Sequence, residues 1–99
     1  MENYKVDYYG NGKIESESYY NNGEHHRENL PAVIWYHENG KIESEYYYLC
    51  GEEYDKDEFD NIMNISNKIK LDSILAIMNI KHKSKYIRNI CQEVINERL

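Results

Sequence analysis

The sequence predicts an α+β fold: an antiparallel β-meander of two hairpin repeats, followed by a C-terminal segment of two to three helices. The seven-residue string NGKIESE occurs twice, at 11–17 and at 39–45. All five glycines, the only proline and ten of the eleven tyrosines lie at or before residue 54, whereas nine of the twelve isoleucines follow it. Tyrosines with Asn-Gly turns are typical of hairpins, and isoleucines at helical spacing without Gly or Pro are typical of helices.

The duplicated string belongs to a longer internal repeat. When the sequence is shifted by 28 residues, twelve of the seventeen positions in Tyr8–Glu24 are identical to their counterparts in Tyr36–Glu52. Self-similarity of this length predicts one structural unit present twice, over about residues 4–27 and 32–54. Asn and Gly tolerate the positive φ of tight hairpin turns, so Asn11-Gly12 and Asn39-Gly40 each predict a turn.

Each predicted turn lies between two segments of alternating side chains. Four strands and a short fifth one are expected: Tyr4–Tyr9, Lys13–Tyr20, Ala32–His37, Lys41–Tyr48 and Glu52–Tyr54. Because strand side chains alternate with period two, they divide between two faces of the sheet. We expect a core face with these residues: Tyr4, Val6, Tyr8, Ile14, Ser16, Ser18, Tyr20, Ala32, Ile34, Tyr36, Ile42, Ser44, Tyr46 and Tyr48. The other face is expected to be solvated and acidic.

The repeat resembles a known family. The segments YYGNGKIESESYYNNGEHHR and RENLPAVIWYHENGKIESEYYYLCGEEYDKDEF look like variant MORN repeats of the second type, over about residues 4–59. Such repeats recur in tandem in bacterial antitoxin-like proteins and in uncharacterised proteins of large DNA viruses. The resemblance implies a scaffold or interaction module and no catalytic residue. The first unit departs from the pattern before its Pro-Ala element, and Cys50 stands where the repeat often has Asn.

Residues 55–99 are predicted to form a helical cap that packs on the sheet of residues 1–54 within one domain. Asp55 followed by Glu58 is typical of a capping box, and Ser84 is a good N-cap for a last helix. Apolar residues recur at helical spacing, with a break near Lys70 and a loop over Asn79–Lys83. We expect these apolar residues to be buried: Phe59, Ile62, Met63, Ile69, Leu71, Ile74, Leu75, Met78, Ile87, Ile90, Cys91, Val94 and Ile95.

Histidines and cysteines offer little chemistry in this sequence. His25 and His26 are candidate metal ligands, but adjacent strand residues point apart and no third ligand lies nearby, so a turn is the favoured interpretation. Cys50 and Cys91 are candidate nucleophiles, yet Cys91 lies on an apolar stripe, where a thiol is usually inert. We therefore expect no metal and no catalytic cysteine.

Two pairs of glutamates are interpreted as ordinary solvated strand residues and not as catalytic carboxylates. Glu15 with Glu17, and Glu43 with Glu45, have the residue type of a glycosidase pair, but they fall on a solvated strand face that gives no reason for a raised pKa. No glycine-rich phosphate loop and no GxSxG motif is present in the sequence. The expectation is a protein that is not an enzyme and that uses no cofactor.

Two surfaces are candidates for partner binding. The first is the acidic sheet face around an exposed Trp35, because Trp and Tyr are favoured interface anchors. Its candidate residues are Trp35, His37, Tyr19, Tyr47, Glu15, Glu17, Glu43 and Glu45. The alternative is that the protein's own tail or a second copy covers Trp35. The second surface is a basic cluster for phosphate contacts, with an ordinary solvated helix entry as the alternative. Its residues are Lys81, Lys83, Lys85 and Arg88.

Charge and composition complete the functional expectation. Residues 1–54 carry four basic and eleven acidic side chains, and the chain as a whole has a net charge of −6. We expect a module that binds another protein, with self-association as an option. The resemblance extends this to a viral or mobile-element protein that acts on a host factor, or to an antitoxin-like inhibitor. The alternative is nucleic-acid binding by the basic C-terminal segment, or nucleic-acid mimicry by the acidic sheet.

The sequence also predicts a location. It shows no signal-peptide pattern and no apolar run near the ~20 residues that span a bilayer. Its two cysteines are 41 residues apart and make a poor disulfide framework. We expect a cytoplasmic protein without a membrane partner.

Overall fold

A six-stranded antiparallel sheet precedes three helices in the computed structural model, which describes residues 2–98 and confirms the predicted α+β fold. The strands are β1 (Glu2–Tyr8), β2 (Ile14–Asn21), β3 (Glu24–His25), β4 (Val33–Tyr36), β5 (Ile42–Leu49) and β6 (Glu52–Tyr54). The helices are α1 (Lys56–Leu71), α2 (Ser73–Met78) and α3 (Lys85–Glu97). The strand order is β1-β2-β4-β5-β6, and β3 pairs with β2. The chain divides into a sheet unit up to Lys56 and a helical unit from Asp57 onward.

The two Asn-Gly hairpin turns have the same geometry, as the repeat predicts. Gly12 and Gly40 have φ values of 86° and 89°. In each turn the asparagine amide oxygen accepts the N–H of the residue after the glycine, at 3.0 Å in the first and 2.9 Å in the second. Glycine occupies these positions because a Cβ makes positive φ costly.

A second pair of turns shows where the repeat tolerates a change of residue. Asn22 and Gly23 have φ values of 52° and 79°, and their counterparts Cys50 and Gly51 have 51° and 79°. Two consecutive positive φ values are the pattern of a type I′ turn. Cys50 therefore adopts the left-handed conformation of the asparagine that it replaces.

Substitution of the turn glycines should reveal their backbone requirement directly. No atom lies within 4 Å of a Cβ added at Gly12 or Gly40, so Gly12→Val and Gly40→Val meet no steric clash. Each should still lower the free energy of unfolding by about 1–2 kcal/mol, because valine must adopt positive φ. Gly10→Val is the matched control: its site is equally open and its φ is not positive. Equal melting temperatures for Gly12→Val, Gly40→Val and Gly10→Val would contradict the assignment of positive φ to the two Asn-Gly turns.

The pairing of β1 with β2 contains a β-bulge. Asp7 lies opposite Ser16, but Tyr8 lies opposite Ile14, so Glu15 is an extra residue in β2. A bulge shifts the side-chain alternation by one position.

The second repeat has its bulge at the equivalent position. Trp35 lies opposite Ser44, but Tyr36 lies opposite Ile42, so Glu43 is the extra residue in β5. The sequence prediction continued the alternation without interruption from each first strand through the turn into the second. Its division of the faces is therefore wrong.

The observed register defines two faces. The serine face carries Lys5, Asp7, Ser16, Ser18, Tyr20, His25, Val33, Trp35, Ser44, Tyr46 and Tyr48. The glutamate face carries Tyr4, Val6, Tyr8, Ile14, Glu17, Tyr19, Ile34, Tyr36, Ile42, Glu45 and Tyr47. The predicted core face thus mixed residues from both. Several of its members are also exposed, among them Tyr4 (53%), Tyr8 (62%) and Ile42 (52%).

Helices α1 and α3 bury most of the stripes that their spacing predicts, except that Ile95 of α3 is half-buried and Leu71 at the end of α1 is exposed. Phe59, Ile62, Met63 and Ile69 of α1 are buried, as are Ile87, Ile90, Cys91 and Val94 of α3. The Ser84 side chain caps α3 by accepting the N–H of Ile87 at 3.4 Å, which confirms the predicted start of the last helix. Two buried hydroxyls, those of Ser66 and Tyr86, form a hydrogen bond at 3.2 Å.

Helix α2 overturns part of the burial prediction. Leu71, Ile74 and Met78 were expected in the core but are 84%, 67% and 72% exposed. Leu71 is the last residue of α1. For Ile74 and Met78 the reason is Asp72, whose side chain accepts the N–H of Ile74 and thereby starts a new helix. The apolar stripe of α1 therefore does not continue in phase into α2. Together with Ile77, which is 60% exposed, these residues form what we call the α2 patch.

Candidate protein-binding surfaces

An open groove of about 430 Å³ runs across the serine face. Small serines lie between large aromatic rings: Ser16 is 3% exposed, whereas Trp35 and Tyr46 are 40% and 39% exposed. The residues that line the groove are Lys5, Asp7, Ser16, Ser18, Tyr20, His25, Val33, Trp35, Tyr46 and Tyr48. Its hydroxyls and rings can receive an apolar side chain and hydrogen-bond its backbone.

His25 closes part of this groove. Its ring lies 4.5 Å from Tyr20 and 4.9 Å from Tyr48, measured between ring centroids. The neighbouring His26 is buried, and its Nδ1 accepts the N–H of Cys50 at 2.9 Å. One histidine is thus packed between aromatic rings, and the other holds the turn at Cys50.

The next feature is the arrangement of possible metal ligands and of the two cysteines in residues 2–98. That part of the chain contains no cluster of three or more His, Cys, Asp or Glu residues that could hold a metal ion. Neither cysteine forms a disulfide in the described residues, and Cys50 is half-buried whereas Cys91 is buried. Burial raises the pKa of the Cys91 thiol, which keeps it protonated and poorly nucleophilic.

The glutamate face contains a hydrogen-bonded group, the Glu17 cluster, formed by Tyr4, Glu17, Tyr19 and Tyr36. Tyr36 donates its hydroxyl to Glu17 Oε1. Tyr4 and Tyr19 donate theirs to Oε2, at 2.8 Å and 3.3 Å. The Arg27 guanidinium lies 3.8 Å from the centre of the Tyr19 ring, and its charge contributes to lowering the pKa of the Glu17 carboxyl. The Glu17 carboxylate therefore accepts hydrogen bonds from tyrosines of three strands, β1, β2 and β4.

These hydrogen bonds shift the acidity of the cluster in opposite directions. The Tyr36 hydroxyl, more than any other partner, lowers the pKa of the Glu17 carboxyl. In return, the hydrogen bond to Glu17 raises the pKa of Tyr4 and of Tyr36 to about 12 each. Both shifts have the same cause. A carboxylate that accepts hydrogen bonds from hydroxyls is stabilised as an anion, and the same hydrogen bonds make the hydroxyls harder to deprotonate.

The structure does not gather the predicted sheet-face residues into one site. Trp35 lies on the serine face, whereas Tyr19, Tyr47, Glu17 and Glu45 lie on the glutamate face. The remaining three lie at the hairpin ends.

Those three residues are two bulge carboxylates and a histidine. Glu15 and Glu43 are the bulge residues, and His37 follows β4. The His37 Nδ1 atom lies 3.4 Å from Glu43 Oε2, so the pair forms an ion pair when His37 is protonated. Of the eight predicted residues, Trp35 is the one that lines the groove.

The basic cluster is partly occupied by the protein itself. The Arg88 guanidinium donates to the backbone oxygens of His82 and Lys83, at 2.8 Å and 2.9 Å. Lys83 Nζ lies 3.9 Å from Glu58 Oε1. Lys81 is exposed, and Lys85 is the first residue of α3. The cluster is therefore a weaker phosphate site than its four charges indicate.

The α2 patch is a surface that the sequence prediction missed. Its four apolar side chains are 60–84% exposed. Large apolar side chains at this level of exposure are candidates for an interaction site. Asp72 was the available signal, because an Asp followed by a short apolar run is typical of a new helix start.

Comparison with known proteins adds no relative: no protein-family model, curated protein or solved structure matches this chain. Among the described residues, no helix has the length and apolar character that crossing a bilayer requires.

Proposed function

We propose that this protein is a non-enzymatic protein-binding module whose serine-face groove receives an apolar anchor from a partner protein with a basic surface. The observation that carries the proposal is the groove itself, with Trp35 and Tyr46 half-exposed beside buried Ser16. Trp and Tyr are the residue types that most often dominate binding energy at protein interfaces.

Charge indicates the kind of partner. Residues 1–54 carry eleven acidic and four basic side chains, a net of −7. An acidic surface speeds the encounter with a basic partner and opposes approach by an acidic one. The resemblance to MORN repeats supports the same class, and it extends the proposal to a cytoplasmic viral or mobile-element protein, or to an antitoxin-like inhibitor. The two free cysteines are consistent with a reducing compartment.

The test compares which proteins the chain retains when the groove is altered. Immobilised wild-type protein is exposed to lysate of the native cell, and the proteins that it retains are quantified. The retained partner is then purified so that its affinity for each variant can be measured. Trp35→Ala should weaken binding of the retained partner at least tenfold, because it removes the central ring of the groove. Leu30→Ala is the control, since Leu30 is a comparably exposed apolar residue (51%) that does not line the groove.

Two further controls keep the result interpretable. Circular dichroism shows whether the Trp35 variant folds; if it does not, Ser18→Tyr fills the groove while Trp35 stays in place. Partner binding that survives both variants would contradict the proposal. A fall in binding as salt rises is expected, because a basic partner and an acidic sheet attract each other less when screened.

Nucleic-acid binding by the helical unit is the alternative function. Lys81→Glu with Lys85→Glu should abolish retention of RNA or DNA and leave protein binding unchanged. Retained nucleic acid that disappears in this double variant, with no protein lost in the Trp35 variant, would favour the alternative.

A further inference from the structure

The contact between the two repeats is a strand pair whose geometry can be copied. Strand β4, the start of the second repeat, lies along β2 of the first. Trp35, Ile34 and Val33 lie opposite Ser16, Glu17 and Ser18. The Tyr36 hydroxyl then donates to the Glu17 carboxylate. Backbone pairing and this tyrosine–glutamate hydrogen bond are thus two of the contacts that join one repeat to the next, beside others such as the hydrogen bond from Cys50 to His26.

The 28-residue shift gives each of these elements a counterpart at an end of the sheet. Strand β1 is the counterpart of β4, and β5 is the counterpart of β2. On β5, the residues Ser44–Tyr46 correspond to Ser16–Ser18. Strand β6 pairs with Tyr47, Tyr48 and Leu49 but not with these three. In the described part of the chain, β1 has β2 on one side and no strand on the other.

The counterparts of the Tyr36–Glu17 hydrogen bond lie on different strands at the two ends of the sheet, β1 and β5. Tyr8 is the counterpart of Tyr36, and Glu45 is the counterpart of Glu17. Tyr8 is 62% exposed, and Glu45 is exposed. Within residues 2–98 the structure shows no hydrogen bond from the Tyr8 hydroxyl and none to the Glu45 carboxylate. The donor lies at one end of the sheet and its matching acceptor at the other.

We propose that β1 of one copy adds to the free edge of β5 in a second copy, in the register by which β4 pairs with β2. Asp7, Val6 and Lys5 of one copy then lie opposite Ser44, Glu45 and Tyr46 of the other. The Tyr8 hydroxyl of the first copy donates to Glu45 of the second. Unpaired strand edges are templates for this kind of addition. Because the two edges differ, the contact is head-to-tail and copies add in an open series.

This self-association goes beyond the proposed partner binding and depends on different residues. It also has the opposite dependence on salt. Each copy carries a net charge of −6, so screening should strengthen association between copies, whereas it weakens binding of a basic partner.

Site-specific disulfide formation tests the register. Cys50 is first replaced by Asn, the residue with the same φ in the first repeat. Asp7→Cys and Ser44→Cys are then placed in separate chains, mixed at high concentration and oxidised mildly. Residues opposite each other in paired strands have the Cα separation that a disulfide needs. The mixed disulfide should form at least tenfold faster than the one between Asp7→Cys and Glu93→Cys, a control on the exposed side of α3.

Sedimentation of the unmodified chain gives the second measurement. The average mass should rise with protein concentration and with salt. Tyr8→Phe and Glu45→Gln should each weaken association about tenfold, because the first removes the hydrogen bond and the second removes the charge of its acceptor. Glu43→Gln should leave it unchanged. A monomer at all concentrations, equal disulfide rates in the two mixtures, or a faster homodisulfide of the Asp7→Cys chain alone would each overturn the proposal.

Discussion

Replacing Phe59 with alanine should lower the free energy of unfolding of the helical unit by about 3–5 kcal/mol. Phe59 is the largest fully buried side chain in the described residues, with 1% of its surface exposed. It belongs to the buried stripe of α1 with Ile62 and Met63. Truncation removes the transfer free energy of the ring and leaves a cavity that the neighbouring side chains fill only in part.

Denaturant unfolding followed by helical circular dichroism measures this loss. Lys68→Ala is the matched control, since Lys68 lies on the same helix and is exposed. We expect that control to change stability by less than about 0.5 kcal/mol. A loss of less than about 1 kcal/mol in the Phe59 variant would mean that the residue is not part of a packed core.

The second large effect is expected at Glu17. Glu17→Gln should destabilise the sheet unit by about 2 kcal/mol, because three tyrosine hydroxyls lose a charged acceptor and keep only a neutral one. The repeat supplies a matched control: Glu45 has the same position in the second repeat and accepts no hydrogen bond in the described structure. Glu45→Gln, measured at a concentration where the chain is monomeric, should be close to neutral. Equal losses in the two variants would show that charge, and not the Glu17 cluster, governs the effect.

The same cluster makes stability depend on pH at both extremes. Because folding lowers the pKa of Glu17, its contribution is complete above the ordinary carboxyl pKa and is lost as the pH falls through the lowered value. Folding raises the pKa of Tyr4 and Tyr36 from 10.0 to about 12, so their contribution is complete below pH 10.0 and is lost as the pH rises toward 12. Spectrophotometric titration should show Tyr4 and Tyr36 ionising near pH 12 in the wild type and at lower pH in Glu17→Gln.

Much of the sheet follows from the repeat, because the duplicated residues specify local geometry. Asn-Gly favours a tight turn, and because both copies contain the same residues the two hairpins form in the same way. The bulges at Glu15 and Glu43 could not be predicted by the same reasoning. A bulge arises from the register of two paired strands, and the sequence of one strand does not encode that register by itself.

The predicted composition of the binding surface around Trp35 depended on the strand register, which the sequence did not provide. Trp35 is 40% exposed, which agrees with one of the two interpretations that the sequence left open. Its predicted companions were wrong: serines that were expected in the core lie beside it, Glu17 and Glu45 lie on the other face, and Glu15 and Glu43 are bulge residues. The α2 patch was missed for a related reason. The helical period was continued across Asp72, although a cap restarts the helix and resets its phase.

The hairpin turns also affect the chemical lifetime of the protein. Three of the four turns contain Asn followed by Gly, at 11–12, 22–23 and 39–40, and the fourth has Cys50 in place of Asn. Glycine has no side chain to hinder attack of its backbone nitrogen on the asparagine amide, so this dipeptide is prone to deamidation. Each event replaces a neutral amide with a carboxylate in a sheet unit that already carries eleven acidic residues in positions 1–54. A stored sample is therefore expected to accumulate increasingly acidic forms from these three turns, while the turn at Cys50 stays unaltered by this reaction.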